Sequence, residues 1–307
     1  MKFFEISKRI FLFLMVNLLV VTTIGIVVAL VFRGHVPRGY NALIVLCLIW
    51  GMGGAFISLA ISRWMAKMMM RVKVIDPQAA VGEEALLLRT VENLSRSANI
   101  PMPEVGIYDS PEINAFATGP SKSRSLVAVS SGLLRNMRQP EVEGVLAHEV
   151  THISNGDMVT MTLIQGVINA FVMFLSYILA FAVMQALSRN SDDDDDRGSF
   201  GNYLLQSFLV NIFQMVFSIL GFVVVCWFSR WREFRADAGG AHLAGREKMI
   251  SALKALKSVH EQGADQAGKP QPAFQAMKIS GGGMMALFST HPPLDQRIAR
   301  LEHPQAI

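Results

Sequence analysis

The stretch EGVLAHEVTHISNGDMVTMTLIQGVINAFVMFLSYILAFAVM, from Glu143 to Met184, decides the fold because it joins two segments of opposite character. It opens with the polar pentapeptide HEVTH and continues into an apolar run that extends from Met158 to Leu187. A helix rises about 1.5 Å per residue, so this run is long enough to cross a hydrocarbon core of about 30 Å. The sequence therefore predicts an ion-binding helix placed directly before a membrane span.

The composition indicates a membrane protein, since 51% of the 307 residues are hydrophobic and only 17% are charged. Four segments have the length of a transmembrane helix: Ile10 to Phe32, Ala42 to Ile61, Met158 to Leu187 and Tyr203 to Phe228. A cleaved signal peptide is the alternative for the first of them, but the apolar core of that segment is too long and no small-residue cleavage site follows it.

Basic residues flank these segments unevenly, and the side that carries more Lys and Arg is expected to be cytoplasmic. They cluster before the first span, after the second and after the fourth, which predicts that both termini are cytoplasmic. The expected organisation is a transmembrane hairpin (1–62), a second transmembrane hairpin (158–228), and a cytoplasmic domain in two parts (63–157 and 229–307). No basic stripe with interleaved aromatic residues is present, so nucleic acid is not an expected partner.

The HEVTH pentapeptide places His148 and His152 four residues apart, so both imidazoles project from one helix face and can bind one zinc ion. Glu149 lies beside them and can act on a water molecule without displacing a ligand. The helix is predicted to begin near Gln139 and to end at the break SNGD, where Asp157 can cap the next helix.

A third ligand is expected, because a catalytic zinc site uses three protein ligands and one open position. A metzincin site is excluded, since Asn155 and Met158 stand where that pattern needs Gly and His. The segment EFRAD offers Glu233 as the third ligand and Asp237 as the acceptor for the second ring N–H of a ligating histidine. Alternatively, both carboxylates only balance neighbouring arginines. Asn155, at the end of the predicted helix, is a further residue expected beside the ligands.

These motifs together resemble the HtpX family of membrane-bound zinc metalloproteases, relatives of the CaaX prenyl endopeptidases. The resemblance covers nearly the whole chain and rests on two N-terminal spans, HEVTHISNGD, an apolar hairpin, EFRADAGGAHLAG and THPPLDQRI. It implies one zinc ion per chain, held by His148, His152 and Glu233, with Glu149 as the catalytic base. It also implies an enzyme of the bacterial inner membrane that cleaves misfolded or damaged membrane proteins at the cytoplasmic face.

The predicted fold class is therefore an α+β membrane protein, with four candidate transmembrane helices and a cytoplasmic, mainly helical zincin-type protease domain that contains a small β-sheet. The family resemblance places the segment STHPPLDQR near the metal. His291 is then either a catalytic donor to the oxyanion or a turn residue before two prolines. Arg297 is expected to pair structurally, with Asp237 as its candidate partner.

The substrate is expected to bind as an added β-strand, because an extended peptide satisfies its backbone by pairing with an exposed sheet edge. The predicted edge is SLVAVS, Ser125 to Ser130, with NAFATG, Asn114 to Gly119, close by. Both segments are equally compatible with ordinary core strands. The candidate substrate contacts are Asn114, Ser125, Val127 and Val129.

The sequence disfavours two other classes of protein. An intramembrane protease would place HEVTH inside a span, but Glu141, Glu143 and Asp157 make its surroundings too polar for the bilayer centre. A scaffold or transporter would need no zinc, and the predicted spans hold no ionisable residue near their middles that would indicate an ion path.

Overall fold

The computed structural model describes residues 40–188, 198–266 and 289–303. The predicted span from Ile10 to Phe32 and the acidic run from Asp192 to Asp196 lie outside these residues. The strands are β1 (Lys73–Val74), β2 (Glu104–Tyr108), β3 (Ala115–Ser121) and β4 (Arg124–Ser130). The helices are α1 (Tyr40–Met69), α2 (Gly82–Ser97), α3 (Ser131–Asn136), α4 (Gln139–Asn155), α5 (Asp157–Ser188), α6 (Gly198–Ala244), α7 (Arg246–Gln266) and α8 (Leu294–Glu302).

The described chain divides into two compact units, of which the first contains the residues up to Ile57 and Thr162–Val224. Its helices are apolar, and Cys47, Phe174 and Ile178 form a buried cluster among them. By length and composition, helices α1, α5 and α6 are each able to cross a membrane, over Ala42–Met69, Asp157–Ser188 and Gly201–Ala244. They include the second, third and fourth predicted spans.

The second unit contains Ser58–Met161 and the described residues from Val225 onward, and it holds a four-stranded sheet. The strand order is β1-β2-β4-β3, in which β4 pairs parallel to β2 and antiparallel to β3. Residues of β4 face two hydrophobic clusters, with Val127 and Val129 in one, and Leu126 and Ala128 in the other. A continuous apolar run such as LVAV is typical of a strand that is covered on both faces.

The prediction that SLVAVS forms a sheet edge is therefore wrong. Its backbone is paired on both sides, and Ser125, Val127 and Val129 are buried. The long edge strand of the described sheet is β3, which contains most of the neighbouring segment NAFATG. The sequence pattern showed that β4 is a strand, but the order of strands depends on pairing between distant segments.

Helix α4 begins and ends where the sequence predicts. The Glu141 carboxylate accepts hydrogen bonds from the Arg138 backbone N–H (2.8 Å), the Arg138 guanidinium and Ser251 Oγ, and so caps the first turn. Burial acts to raise the pKa of Glu141, but these hydrogen bonds hold it below its ordinary value. Gly156 ends the helix in the left-handed conformation, φ 69° and ψ 33°, and α5 begins at the next residue.

Two glycines let other helices approach α4 closely. A Cβ atom on Gly144 would lie 2.6 Å from the Lys248 carbonyl oxygen of α7. A Cβ atom on Gly239 of α6 would fall well inside the contact distance of Thr151 Cγ2 on α4. Interiors packed to crystal density do not absorb an added methyl group without a shift. The distance between α4 and α6 therefore depends on Gly239.

We predict that Gly239→Ala lowers the free energy of unfolding by about 1–3 kcal/mol, because the new methyl group forces α6 away from Thr151. Differential scanning calorimetry or chemical denaturation in detergent measures this loss. Gly201→Ala is the matched control on the same helix, since nothing lies within 4 Å of its added Cβ. We expect the control to be neutral or slightly stabilising.

The double variant Gly239→Ala/Thr151→Ser removes the methyl group that the new Cβ would strike, while it keeps the hydroxyl that donates to the Ala147 carbonyl at 2.7 Å. We expect it to recover most of the lost stability. Equal stability of Gly239→Ala and wild type would show that this contact does not limit the approach of the two helices.

Candidate metal centre

Helices α4 and α6 bring two imidazoles and one carboxylate together in the second unit. His148 Nε2 and His152 Nε2 are 3.1 Å apart, and each lies 3.4 Å from an oxygen of Glu233. All three side chains are buried, and Glu233 is only 1% exposed. One ligand atom from each residue lies within 4.8 Å of the others, so this cluster can hold a metal ion.

The outer nitrogen of each histidine lies against its own carboxylate. His148 Nδ1 is 3.0 Å from Asp237 Oδ1, and His152 Nδ1 is 2.7 Å from Asp157 Oδ2. A carboxylate only accepts hydrogen bonds, so each Nδ1 donates, and when both rings are neutral each Nε2 keeps a lone pair for an ion beside Glu233. Two neutral nitrogens and one carboxylate oxygen are a donor set that suits zinc, and the residues therefore fit the ion.

Asp157 was not expected in this position by sequence reasoning, which treated it only as a cap for the next helix. The sequence indicates that Asp157 accepts a hydrogen bond from His152 only if the turn at Gly156 is taken into account. The left-handed glycine reverses the chain sharply enough to bring the first carboxylate of α5 back to a ring in the last turn of α4.

Arg297 of α8 connects that helix to the centre. Its Nε and Nη2 donate to the two oxygens of Asp237 at 2.7 and 2.6 Å, which confirms the expected pairing. Its Nη1 lies 3.6 Å from Glu233. A second arginine, Arg232, donates to Glu233 Oε1 at 3.2 Å, one of the neighbouring arginines that the sequence offered as a partner for this carboxylate.

The protonation of the cluster reflects these close charges. Burial acts to lower the pKa of His148, but hydrogen bonds to Asp237 and Glu233 raise it to about 9. The pKa of His152 is also raised, because its bonds to Asp157 and Glu233 outweigh burial. Burial acts to raise the pKa of Glu233, but hydrogen bonds from the histidines hold it far below its usual range. The space between the two Nε2 atoms therefore favours positive charge.

The remaining candidates for the site lie at different distances from this cluster. His291 Nδ1 is 3.0 Å from Glu233 Oε2, and its side chain is 64% exposed. Glu149 is half-buried on α4, and its charge acts electrostatically on His152 and Arg297. Asn155 is the half-buried last residue of the same helix.

The expected substrate contacts lie at different places in the sheet, three of them inside it and one beside its edge strand. Ser125, Val127 and Val129 are interior residues of β4, 1% exposed or less, and their position offers a peptide neither side chain nor free backbone. Asn114 is exposed and directly precedes the edge strand β3. Its backbone N–H donates to Ser130 Oγ at 3.1 Å and its carbonyl accepts from the Ser130 N–H at 2.9 Å.

Comparison with known proteins agrees with this geometry. Residues 82–305 match the family described as peptidase family M48. The chain is 50% identical over 305 residues to "Protease HtpX homolog" of Methylacidiphilum infernorum (isolate V4), covering 96% of this chain and 98% of the relative. It is 52% identical over 308 residues to the Bacillus subtilis (strain 168) protein of the same name, covering 96% and 99%.

A solved structure, S. mikatae Ste24p, has a similar fold, with a TM-score of 0.55 and 18% sequence identity. The match covers 91% of this chain but spans only 62% of the length of Ste24p, and it supports the fold alone. The family match and the relatives of nearly full length show the family of this chain, which the similar fold alone does not. Together with the apolar helices α1, α5 and α6, they show that the chain is an integral membrane protease that belongs to peptidase family M48, within its HtpX group.

Proposed function

We propose that this protein is a zinc-dependent endopeptidase that hydrolyses misfolded or damaged membrane proteins at the cytoplasmic face of the bacterial inner membrane. The observation that carries the proposal is the convergence of His148 Nε2, His152 Nε2 and the Glu233 carboxylate inside a buried site. The apolar helices α1, α5 and α6 support an enzyme that works on substrates held in the same bilayer.

One zinc ion is proposed to be held by His148, His152 and Glu233. Zinc bound there would supply Lewis acidity to the scissile carbonyl and to the attacking water. Asp157 and Asp237 hold the two imidazoles in the tautomer that leaves each Nε2 free to bind. Arg297 keeps Asp237 ionised and oriented through two hydrogen bonds.

Glu149 is proposed as the general base. It accepts a proton from the attacking water as the new C–O bond forms, and delivers that proton to the amine that leaves when the C–N bond breaks. It directly follows His148 on α4 and is half-buried. His291 is proposed to donate a hydrogen bond to the carbonyl oxygen as it gains negative charge, because its ring is exposed and lies beside Glu233.

Strand β3 is the proposed binding edge for an extended substrate. It packs against α4, which carries both histidines, and the Lys122 ammonium in the β3–β4 turn donates to the Ser154 carbonyl at the end of that helix. Backbone pairing along β3 would satisfy a peptide of almost any sequence. Weak sequence preference of this kind suits a protease of protein quality control.

We predict that the purified protein binds one zinc ion per chain and that Glu149→Gln keeps the zinc but cleaves casein about 10²- to 10⁴-fold more slowly. The amide keeps the size of the side chain and removes the basic oxygen. Metal analysis by mass spectrometry and a fluorescent casein assay measure the two quantities. Glu233→Ala is expected to lose zinc as well as activity, because it removes a ligand.

The matched control is Glu143→Gln, on the same helix, whose carboxylate is half-buried and paired with Lys248 at 2.7 Å. We expect it to keep both zinc and activity. Full activity of Glu149→Gln would contradict the proposed base, and an unchanged zinc content in Glu233→Ala would remove that residue from the ligand set.

Asp157→Asn is predicted to weaken zinc binding by about 10- to 100-fold, because the amide no longer stabilises the donating Nδ1 of His152 as strongly. Asn keeps the ability to cap the start of α5, so the metal-free protein should still fold, with a lower melting temperature because the buried pair with His152 loses its carboxylate charge. Competition with a chromophoric chelator measures the affinity. Asp295→Asn, at an exposed residue of α8, is the control, and equal affinities of the two variants would contradict the role of Asp157.

The second unit, which holds the candidate metal centre and which we call the catalytic unit, is predicted to face the cytoplasm. Ser97→Cys introduces an exposed thiol at the end of α2, whereas the native Cys47 and Cys226 are buried and give little background. A membrane-impermeant maleimide should label this variant in inside-out membrane vesicles and leave it unlabelled in right-side-out vesicles. The reverse pattern would overturn the proposed orientation.

A further inference from the structure

The segment Ser289–Pro293, which we call the His291 turn, presents His291 beside Glu233 outside any helix or strand. The His291 side chain is 64% exposed, so its position is not determined by the packing of its own ring. Its distance from the Glu233 carboxylate therefore depends on how the backbone of the turn is held at each end.

On its C-terminal side, the turn is held by proline stiffness and by α8. Pro292 is buried, and the rings of Pro292 and Pro293 restrict φ directly after His291. Helix α8 begins at Leu294, and Arg297 in its first turn binds Asp237 with two hydrogen bonds. This end of the turn is thus fixed to α6 through a buried ion pair.

On its N-terminal side, the turn is held by Arg230. Its Nη1 donates a hydrogen bond to the Ser289 carbonyl at 2.6 Å, two residues before His291. Ser289 Oγ in turn donates to the His291 carbonyl at 2.6 Å and closes the turn. A charged donor makes a shorter and stronger bond to a carbonyl than a neutral one does.

Arg230 and Glu233 lie three residues apart on α6, and residues at this spacing share one face of a helix. The same rigid element therefore carries the carboxylate and the group that anchors the turn opposite it. Any displacement of α6 moves both together, so the distance from His291 to Glu233 is preserved.

We infer that Arg230 is a positioning residue, which holds the His291 turn so that the imidazole stays beside Glu233. The inference deepens the proposed function, since it rests on the proposed role of His291 in catalysis. Arg230 acts through the turn, by its hydrogen bond to the Ser289 carbonyl.

The first test compares Arg230→Ala and Arg230→Lys with wild type. We expect Arg230→Ala to keep one zinc ion per chain and a KM within about twofold, while kcat falls about 10- to 100-fold because the donor is misplaced. Arg230→Lys should recover part of kcat, since an ammonium group can still donate to the Ser289 carbonyl. Loss of zinc from a folded Arg230→Ala would overturn the inference.

The second test is a double-mutant cycle with His291→Ala. If Arg230 acts through His291, Arg230→Ala lowers kcat no further once His291 has been removed. Losses that multiply in the double variant would overturn the inference. Arg235→Ala is the matched control on α6, because its guanidinium lies over the Trp231 ring, 4.8 Å from the centroid. We expect its kcat to stay within about twofold of wild type.

A third test is independent of activity and uses the metal-free protein. Hydrogen exchange measured by mass spectrometry should be faster at Gln296 and Arg297, whose N–H groups donate to the Pro293 carbonyl of the turn, in Arg230→Ala than in wild type or Arg235→Ala, and Arg230→Lys should be intermediate. Unchanged exchange would overturn the inference. If Arg230→Ala does not fold, Arg230→Lys and Arg230→Gln give the same comparison.

These tests separate the inference from the proposed function. Full activity of Glu149→Gln would end the proposed mechanism, although faster exchange in Arg230→Ala would still show that Arg230 orders the turn. Full kcat in His291→Ala would overturn the catalytic role of His291 and, with it, the positioning role of Arg230.

Discussion

The burial of the Glu233 carboxylate between two imidazoles is the interaction on which the catalytic unit depends. An ionised carboxylate that is 1% exposed is tolerated only if nearby charges and hydrogen bonds replace its hydration. His148, His152, His291, Arg232 and Arg297 all lie within 3.6 Å of it and provide that replacement. Because these residues come from α4, α6, α8 and the His291 turn, the charge balance joins those elements to one another.

The same interaction accounts for the second set of carboxylates. Two buried imidazoles that direct Nε2 inward need an acceptor for each Nδ1, and Asp157 and Asp237 supply it. Asp237 is then neutralised by Arg297, which ties α8 into the centre. The network is complete only when α4 and α6 touch, and Gly239 permits that contact by leaving room for Thr151.

Two long helices connect the chemistry to the apolar part of the chain. Asp157, which binds His152, is the first residue of α5, and Glu233 lies within α6; both helices are long and apolar enough to cross a membrane. One candidate ligand, Glu233, and the carboxylate that orients another, Asp157, therefore lie on these apolar helices, whereas both histidines lie on α4. The arrangement supports the proposal that its substrates come from the same bilayer, with the edge strand β3 beside α4 to receive them.

The sequence by itself determined what depends on local periodicity. A helix with about 3.6 residues per turn places His148 and His152 on one face, Gly156 ends that helix, and long apolar runs predict spans. The segment EFRAD also offered Glu233 and Asp237 as site residues, and the pairing of Arg297 with Asp237 was expected once the family resemblance placed its segment near the metal. The tertiary structure alone decided the rest, because these features join residues far apart in the chain. It placed β4 inside the sheet, left β3 as the edge, and brought Arg230 to the Ser289 carbonyl. No local sequence pattern predicts which distant strand or carbonyl group a residue will contact, because those contacts are set by packing in three dimensions.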